Sequence, residues 1–172
     1  GILITSHTSL SPLWLMLWIC IPLAIFIDSG LPVFYRQERM GRGGKPFMAL
    51  KFRTMVRDDD AVGPAWTTAQ DARITRVGRV LRPTALDELP QIINILLGDM
   101  SFVGPRALAQ SELEELAPHH AQIMERFAVP AGLTGLAQLY APRDDMAEKL
   151  RRDLEYIHRL SLGLDILSLI HI

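Results

Sequence analysis

The chain has 172 residues, a net charge of −1 and 49% hydrophobic residues, with a mean hydropathy of +0.17. That length suffices for one domain, and the balanced charge excludes the global basic field of a nucleic-acid-binding protein. The single cysteine, Cys20, rules out an intrachain disulfide and is compatible with a reducing compartment.

From Gly1 to Ile27 no side chain is charged, apart from a protonatable His7, and Leu13–Ile27 is nearly all apolar. A straight membrane span needs ~20 predominantly apolar residues. The polar start ILITSHTSLS and the two prolines, Pro12 and Pro22, argue against a simple straight span, because proline inside a helix kinks or breaks it. A secretory signal peptide should open on Lys or Arg and close on a small-residue cleavage site, and neither is clear. A core helix without any polar face would be unusual at this length. Arg36, Arg39, Arg42, Lys45, Lys51 and Arg53 follow closely. Such cations keep their side of a membrane segment in the cytoplasm and contact anionic head groups.

Val33–Gln37 and Phe47–Arg53 read as short strands joined by a Gly-rich turn, Gly41–Pro46. Strand alternation would put Lys51 and Arg53 on one face. Arg57–Arg76 reads as a polar loop near the site. Val80–Gly98 carries a helix, and Glu112–Phe127 is helical with a break at Pro118. The His119-His120 pair lacks metal spacing. Pro130–Pro142 is loop plus strand. Met146–Leu160 is an amphipathic helix with Leu150, Leu154 and Ile157 on one face, and the apolar tail Leu160–Ile172 suits a bilayer surface.

The most informative stretch is Arg82–Arg106, RPTALDELPQIINILLGDMSFVGPR. Pro90 has no N–H and fits a helix only in its first turn, where N–H groups lack partners. The run Ile92, Ile93, Leu96, Leu97 fits the helix body and Gly98 its stop. The helix is therefore predicted to begin near Leu86 or Asp87. Beginning at Thr84 would bury Pro90 too deep, at ~3 kcal/mol. Asp87 and Glu88 then sit at the positive end of the helix dipole, where carboxylates stay ionised and phosphates bind. From these residues alone an ordinary helix cap is the preferred reading of Asp87, since caps far outnumber nucleophiles. Gly98, Gly104 and Pro105 permit a tight path close to an anion, and Arg106 can fork onto phosphate. GDMSFVGPR matches no generic phosphate-loop pattern, and by spacing alone a plain turn is the preferred reading.

LDELPQIINILLGDMSFVGPR resembles the signature of the bacterial sugar transferases, the monotopic phosphoglycosyl transferases of polysaccharide and glycoconjugate assembly. Ser11-Pro12, PVFYRQERMGRGGKPF at 32–47, KFRTM at 51–55, PAGLTGLAQLYAPRD at 130–144 and RRDLEYIHRLSLGLDI at 151–166 agree with it in order and spacing.

The resemblance implies a small α/β (α+β-like) catalytic domain over residues 30–172, with interfacial amphipathic helices. Residues 1–29 would form a re-entrant membrane helix, bent at Ser11-Pro12 so that it enters and leaves the same leaflet. A single span is the alternative. It implies transfer of a sugar-1-phosphate from a UDP-sugar to polyprenyl (undecaprenyl) phosphate with release of UMP. The setting would be the cytoplasmic face of a bacterial inner membrane, at the first membrane step of exopolysaccharide, O-antigen or glycoconjugate assembly. Asp87 would be the nucleophile of a covalent phospho-sugar intermediate and lie near or on Mg²⁺, with Glu88 orienting it, supporting the metal or moving a proton. Lys51, Arg53, Arg82, Pro105, Arg106 and Arg143 would hold the diphosphate and nucleotide. A homodimer is compatible with this reading, and a catalytically inactive membrane-anchored homologue or scaffold is its alternative.

Three features depart from the family pattern. Gly1–Leu10 lacks a basic amphipathic lead-in, as in a fragment; Pro22 adds a break; and Ala107 stands where many relatives have Pro.

Overall fold

The computed structural model describes residues 2–56, 71–141, 145–159 and 161–170, with the side chains of residues 2–13, 162 and 169 outside the description. The chain divides into two units, Gly1–Tyr35 with Lys51–Leu89, and Arg36–Leu50 with Pro90–Ile172. Helices and strands are mixed, as expected of an α/β chain.

The first unit contains helix α1 (Ile2–Ser29), whose helical assignment runs through both prolines. The Ser11-Pro12 side chains lie outside the described residues. Among the described residues no helix is long and apolar enough to cross a membrane. Ile21 and Ile25 are buried at helical spacing, while Leu15, Ile19, Leu23, Phe26 and Ile27 remain exposed. Trp18 meets Phe52 edge-on at 5.9 Å between ring centroids, and Phe34 stacks on Phe52 at 5.5 Å. Asp28 accepts from the Val77 N–H at 2.9 Å, at the start of the short helix α2 (Gly78–Leu81). Met55 and Ile74 form an isolated bridge.

Strands β1 (Phe34–Met40) and β2 (Pro46–Phe52) form a two-stranded sheet. They match the two predicted strands, extended at the turn, where Gly43 and Gly44 adopt positive φ.

The second unit is built on a parallel pair, β3 (Met100–Val103) and β4 (Ala131–Thr134), in register Met100↔Ala131 and Val103↔Thr134. Helix α3 (Gln91–Leu97) precedes β3 and closes at Gly98, whose φ of 84° suits a residue without Cβ. Helix α4 (Gln110–Leu116) gives way to a 3₁₀ stretch, Ala121–Ala128, so the chain does break around Pro118. After β4 comes helix α5 (Leu136–Tyr140), where the sequence suggests loop or strand. Helix α6 (Met146–His158) buries Leu150, Asp153 and Tyr156. Helix α7 (Leu162–Ile170) is part of the fold as well as apolar, since Ser168 is fully buried and lies 3.2 Å from the Thr134 hydroxyl. Val103, Leu136 and Tyr156 form a buried hydrophobic cluster in this unit, with Ile157 and Leu164 against it.

Strand β3 has no counterpart among the predicted elements. Its four residues lie in a segment that reads as a turn, and it becomes a strand only by pairing with a partner thirty residues on. The pairing depends on glycine. A Cβ on Gly132 would lie 2.1 Å from the Gly104 nitrogen, and one on Gly135 would lie 2.2 Å from the Gly104 carbonyl oxygen.

Candidate active site

The acid pair does not open an α-helix. Leu86–Glu88 is a separate 3₁₀ turn, and α3 starts only at Gln91, with Pro90 before it. The cause is Pro90, which cannot donate to Leu86. The tight i→i+3 bonds Glu88 N–H to Ala85 and Leu89 N–H to Leu86 end one ladder there, and Ile93 N–H to Pro90 begins the next. The predicted single helix from Leu86 or Asp87 is thus corrected, and with it the placement of both carboxylates on a long helix dipole. Ala85, just before the turn, has φ 54° and ψ 13°. A left-handed alanine costs about 1–2 kcal/mol, and it reverses the backbone immediately before the acids.

Within the first unit Lys51, Glu88 and Arg82 all act on Asp87. Lys51 Nζ lies 2.5 Å from Glu88 Oε1, both side chains being mostly buried. Burial pushes the half-buried Asp87 carboxyl above the ordinary carboxylate range; the Lys51 cation opposes this, the Glu88 charge adds to it, and Arg82 opposes more weakly. The two carboxylates therefore have different surroundings. Glu88 is salt-bridged, whereas Asp87 is raised in energy by desolvation. A desolvated carboxylate beside fixed cations fits a nucleophile whose target brings further positive charge or phosphate.

Arg53, expected beside Lys51 among the substrate cations, is turned to a different task. Strand β2 stops at Phe52. The Arg53 guanidinium donates to the carbonyls of Ser29, Gly30 and Leu31 at 2.6–3.0 Å. These are carbonyls at the C-terminal end of α1, which lack intrahelical partners and favour a cation. Arg53 is an anchor for α1.

Pro105 and Arg106 belong to the second unit, Pro105 buried and the Arg106 side chain exposed. Their backbone is tied to β4 by Gly104 N–H to Thr134 and Gly132 N–H to Pro105, both 2.9 Å. Arg143 lies outside the described residues, as does most of the predicted 57–76 loop.

Two buried polar residues of the second unit are not singled out from the sequence. Asn94, buried in α3, accepts from Leu50 N–H at 3.0 Å and donates to the Met48 carbonyl at 2.8 Å. It satisfies β2 backbone groups as a neighbouring strand would. With Gln91 three residues earlier it makes the buried side of α3 polar, while Leu96 and Leu97 face out. Two polar residues at helical spacing within an Ile/Leu run are the available signal. Arg126, in the 3₁₀ stretch, is also buried and gives no signal by motif.

Among the described residues no cluster of three or more His, Cys, Asp or Glu side chains is present. Asp87 and Glu88 offer carboxylate oxygens. That donor chemistry fits Mg²⁺, which keeps waters and shares substrate phosphate oxygens instead of needing a full protein cage.

Residues 3–171 match the family model described as bacterial sugar transferase. The chain is 42% identical over 173 residues to a UDP-glucose:undecaprenyl-phosphate glucose-1-phosphate transferase of Xanthomonas campestris pv. campestris, covering 95% of this chain and 35% of the relative. A Caulobacter vibrioides protein of the same name is 39% identical over 169 residues, covering 95% and 63% respectively. A UDP-N-acetylgalactosamine-undecaprenyl-phosphate N-acetylgalactosaminephosphotransferase of Aeromonas hydrophila is 36% identical over 160 residues, covering 91% and 38%. The chain thus spans between about a third and two thirds of the length of these relatives. With nearly every residue inside the matched region, the chain belongs to the bacterial sugar transferase family.

Proposed function

We propose that this chain transfers a sugar-1-phosphate from a UDP-sugar to a polyprenyl phosphate and releases UMP, at the cytoplasmic face of a bacterial inner membrane. The observation that carries the reading is the asymmetric acid pair, with Glu88 bound to Lys51 and Asp87 desolvated beside it. The relatives named as undecaprenyl-phosphate sugar-1-phosphate transferases support the reaction class. Their donors include glucose and N-acetylgalactosamine, so the sugar itself stays open.

In the first half-reaction an Asp87 carboxylate oxygen attacks the sugar-linked phosphorus. The bond from that phosphorus to the bridging oxygen breaks, and UMP leaves with the electron pair. In the second, an oxygen of polyprenyl phosphate attacks the same phosphorus and Asp87 departs as carboxylate. Splitting the reaction keeps two anionic substrates from meeting at low dielectric. Lys51 holds Glu88 and lowers the energy of the Asp87 anion, and Arg82 adds positive charge. Arg106 and Arg143 are proposed to hold phosphate or nucleotide. Asp87 would hold Mg²⁺, which would supply charge neutralisation on the diphosphate.

The exposed apolar side of α1, and in the second unit the exposed Leu96 and Leu97 of α3, support contact with a bilayer. A re-entrant path for α1, turning at Ser11-Pro12, belongs to this proposal.

The test is intact-mass measurement after incubating detergent-solubilised protein with Mg²⁺ and a panel of UDP-sugars, without polyprenyl phosphate. A phospho-sugar adduct is expected, absent in Asp87→Asn, with turnover in that variant down by roughly three orders of magnitude or more. UMP release that proceeds with polyprenyl phosphate yet never shows an adduct would sink the covalent step.

A further inference from the structure

The segment after Pro105 is held from two sides by buried arginines of the second unit. Arg126 donates from Nη2 to the Arg106 carbonyl at 3.1 Å, and the same nitrogen lies 2.8 Å from Asp153 Oδ2 on α6, the two side chains being 5% and 2% exposed. Arg39, also buried, donates from Nη1 to the next carbonyl, that of Ala107, at 3.1 Å and to Glu112 at 2.5 Å. Backbone bonds complete the hold, with Gly132 N–H on Pro105 and Met40 N–H on Leu108. Four consecutive residues, Pro105 to Leu108, are therefore fixed through their carbonyls, although the Arg106 side chain itself is exposed.

Stability does not account for the Arg126–Asp153 pair. Desolvating two charges offsets most of their attraction, and apolar replacements of buried pairs are often neutral or stabilising. Here Nε and Nη1 of Arg126 have no hydrogen-bond partner among the described residues, and Asp153 Oδ2 faces the guanidinium as an ion pair without hydrogen-bond geometry, which adds to the cost. What the arrangement does provide is direction. Asp153 keeps the guanidinium charged and in place, and the guanidinium fixes one carbonyl. Ala107 does not constrain its own φ as a proline would, so the two side-chain bonds set the backbone on either side of the peptide that follows Arg106.

We propose that Arg126 and Arg39 are positioning residues, which clamp the carbonyls of Arg106 and Ala107 and thereby aim the Arg106 side chain at an anionic group of the substrate. This rests on the proposed function, in which Arg106 holds phosphate. Lysine at position 126 keeps the charge beside Asp153 but cannot reproduce the planar fork.

The experiment compares Arg126→Lys, Arg106→Met and the double variant in steady-state UMP release. Hydrogen exchange of residues 103–108 is measured alongside. For Arg126→Lys the KM for UDP-sugar is expected to rise about tenfold, the scale of one lost charge-assisted hydrogen bond, with kcat within a few-fold. Exchange should quicken at Ala107 and Leu108 while the melting temperature holds. In the double variant the second change should add nothing to Arg106→Met, since both act through one side chain. The inference is overturned by unchanged exchange in that segment, or by an Arg126→Lys penalty that persists in full without Arg106. Arg106→Met with an unaltered KM would instead refute the phosphate-binding role of Arg106. Arg39→Lys, on the neighbouring carbonyl, repeats the test if Arg126→Lys does not fold.

Discussion

Lys51 and Glu88 stand 37 positions apart in the chain and meet at 2.5 Å. Their contact is the smallest unit of the proposed chemistry, because it gives Glu88 a partner and leaves Asp87 as the carboxylate that substrate must satisfy. Removing the cation should therefore damage catalysis more than folding. Lys51→Met is expected to lower kcat/KM by about ten- to a hundredfold while costing only about 1 kcal/mol of stability, the scale of a partly exposed pair. Glu88→Gln should show a related loss, and the double variant less than the product of the two. Additive losses in that cycle, measured by UMP release, would mean the ion pair is incidental. Of the proposed site residues, Asp87, Glu88 and Lys51 are legible in the sequence because they lie in recognisable blocks. Arg53 is not, because alternation assumes a strand that in fact stops one residue earlier. Asn94 is marked only by its helical spacing from Gln91 within an Ile/Leu run, and Arg126 stays hidden because a lone buried cation has no local sequence mark.

At the scale of elements, the β3–β4 pair depends on backbones brought closer than side chains allow. Gly132→Ala would put its new methyl 2.1 Å from one backbone nitrogen and 2.5 Å from the Thr134 carbonyl oxygen. Neither atom can swing aside as a side chain can. The variant should lose about 3 kcal/mol, the upper end of overpacking costs, as urea denaturation would show; a loss under about 1 kcal/mol, the lower end of that range, would mean the strands separate easily. Helix α6 gives a pH prediction. Asp145 caps it by accepting from Glu148 N–H, and hydrogen bonds from Arg151 and then Arg152 hold the Glu148 carboxyl down at about 2, against 4.5 normally. Because the folded value is the lower one, this contribution is complete above pH 4.5 and disappears as pH falls toward 2. Glu148→Gln should flatten the fall of stability across that window. An unchanged slope would show that the carboxylate is not held in solution.

For the whole molecule, α1 is the element whose exposed side is hardest to reconcile with water. Leu15, Ile19, Leu23 and Ile27 are each at least half exposed, whereas Ile21 and Ile25 are buried. The chain is expected to float with anionic vesicles. Ile19→Asp combined with Leu23→Asp should cut the bound fraction at least about tenfold, since each charge costs a few kcal/mol in hydrocarbon. Binding that survives both changes would move the bilayer contact elsewhere, for instance to Leu96 and Leu97 of α3.

What the sequence determined by itself was whatever short-range chemistry dictates. The apolar lead segment, the β1–β2 turn, the glycine stop at Gly98, the break near Pro118 and the amphipathic α6 all follow from neighbours within a few residues. So did the family, through blocks of motif in order. The tertiary structure decided what depends on distant partners. It made a strand of Met100–Val103 by supplying β4, turned Leu86–Glu88 into a 3₁₀ turn once Pro90 had to start a new ladder, and buried the polar side of α3 because β2 offered backbone groups to Asn94. It also sent Arg53 to the end of α1 and Arg126 behind Arg106. A guanidinium or an amide can satisfy many acceptors, and only the folded chain selects which carbonyl lies within hydrogen-bonding reach.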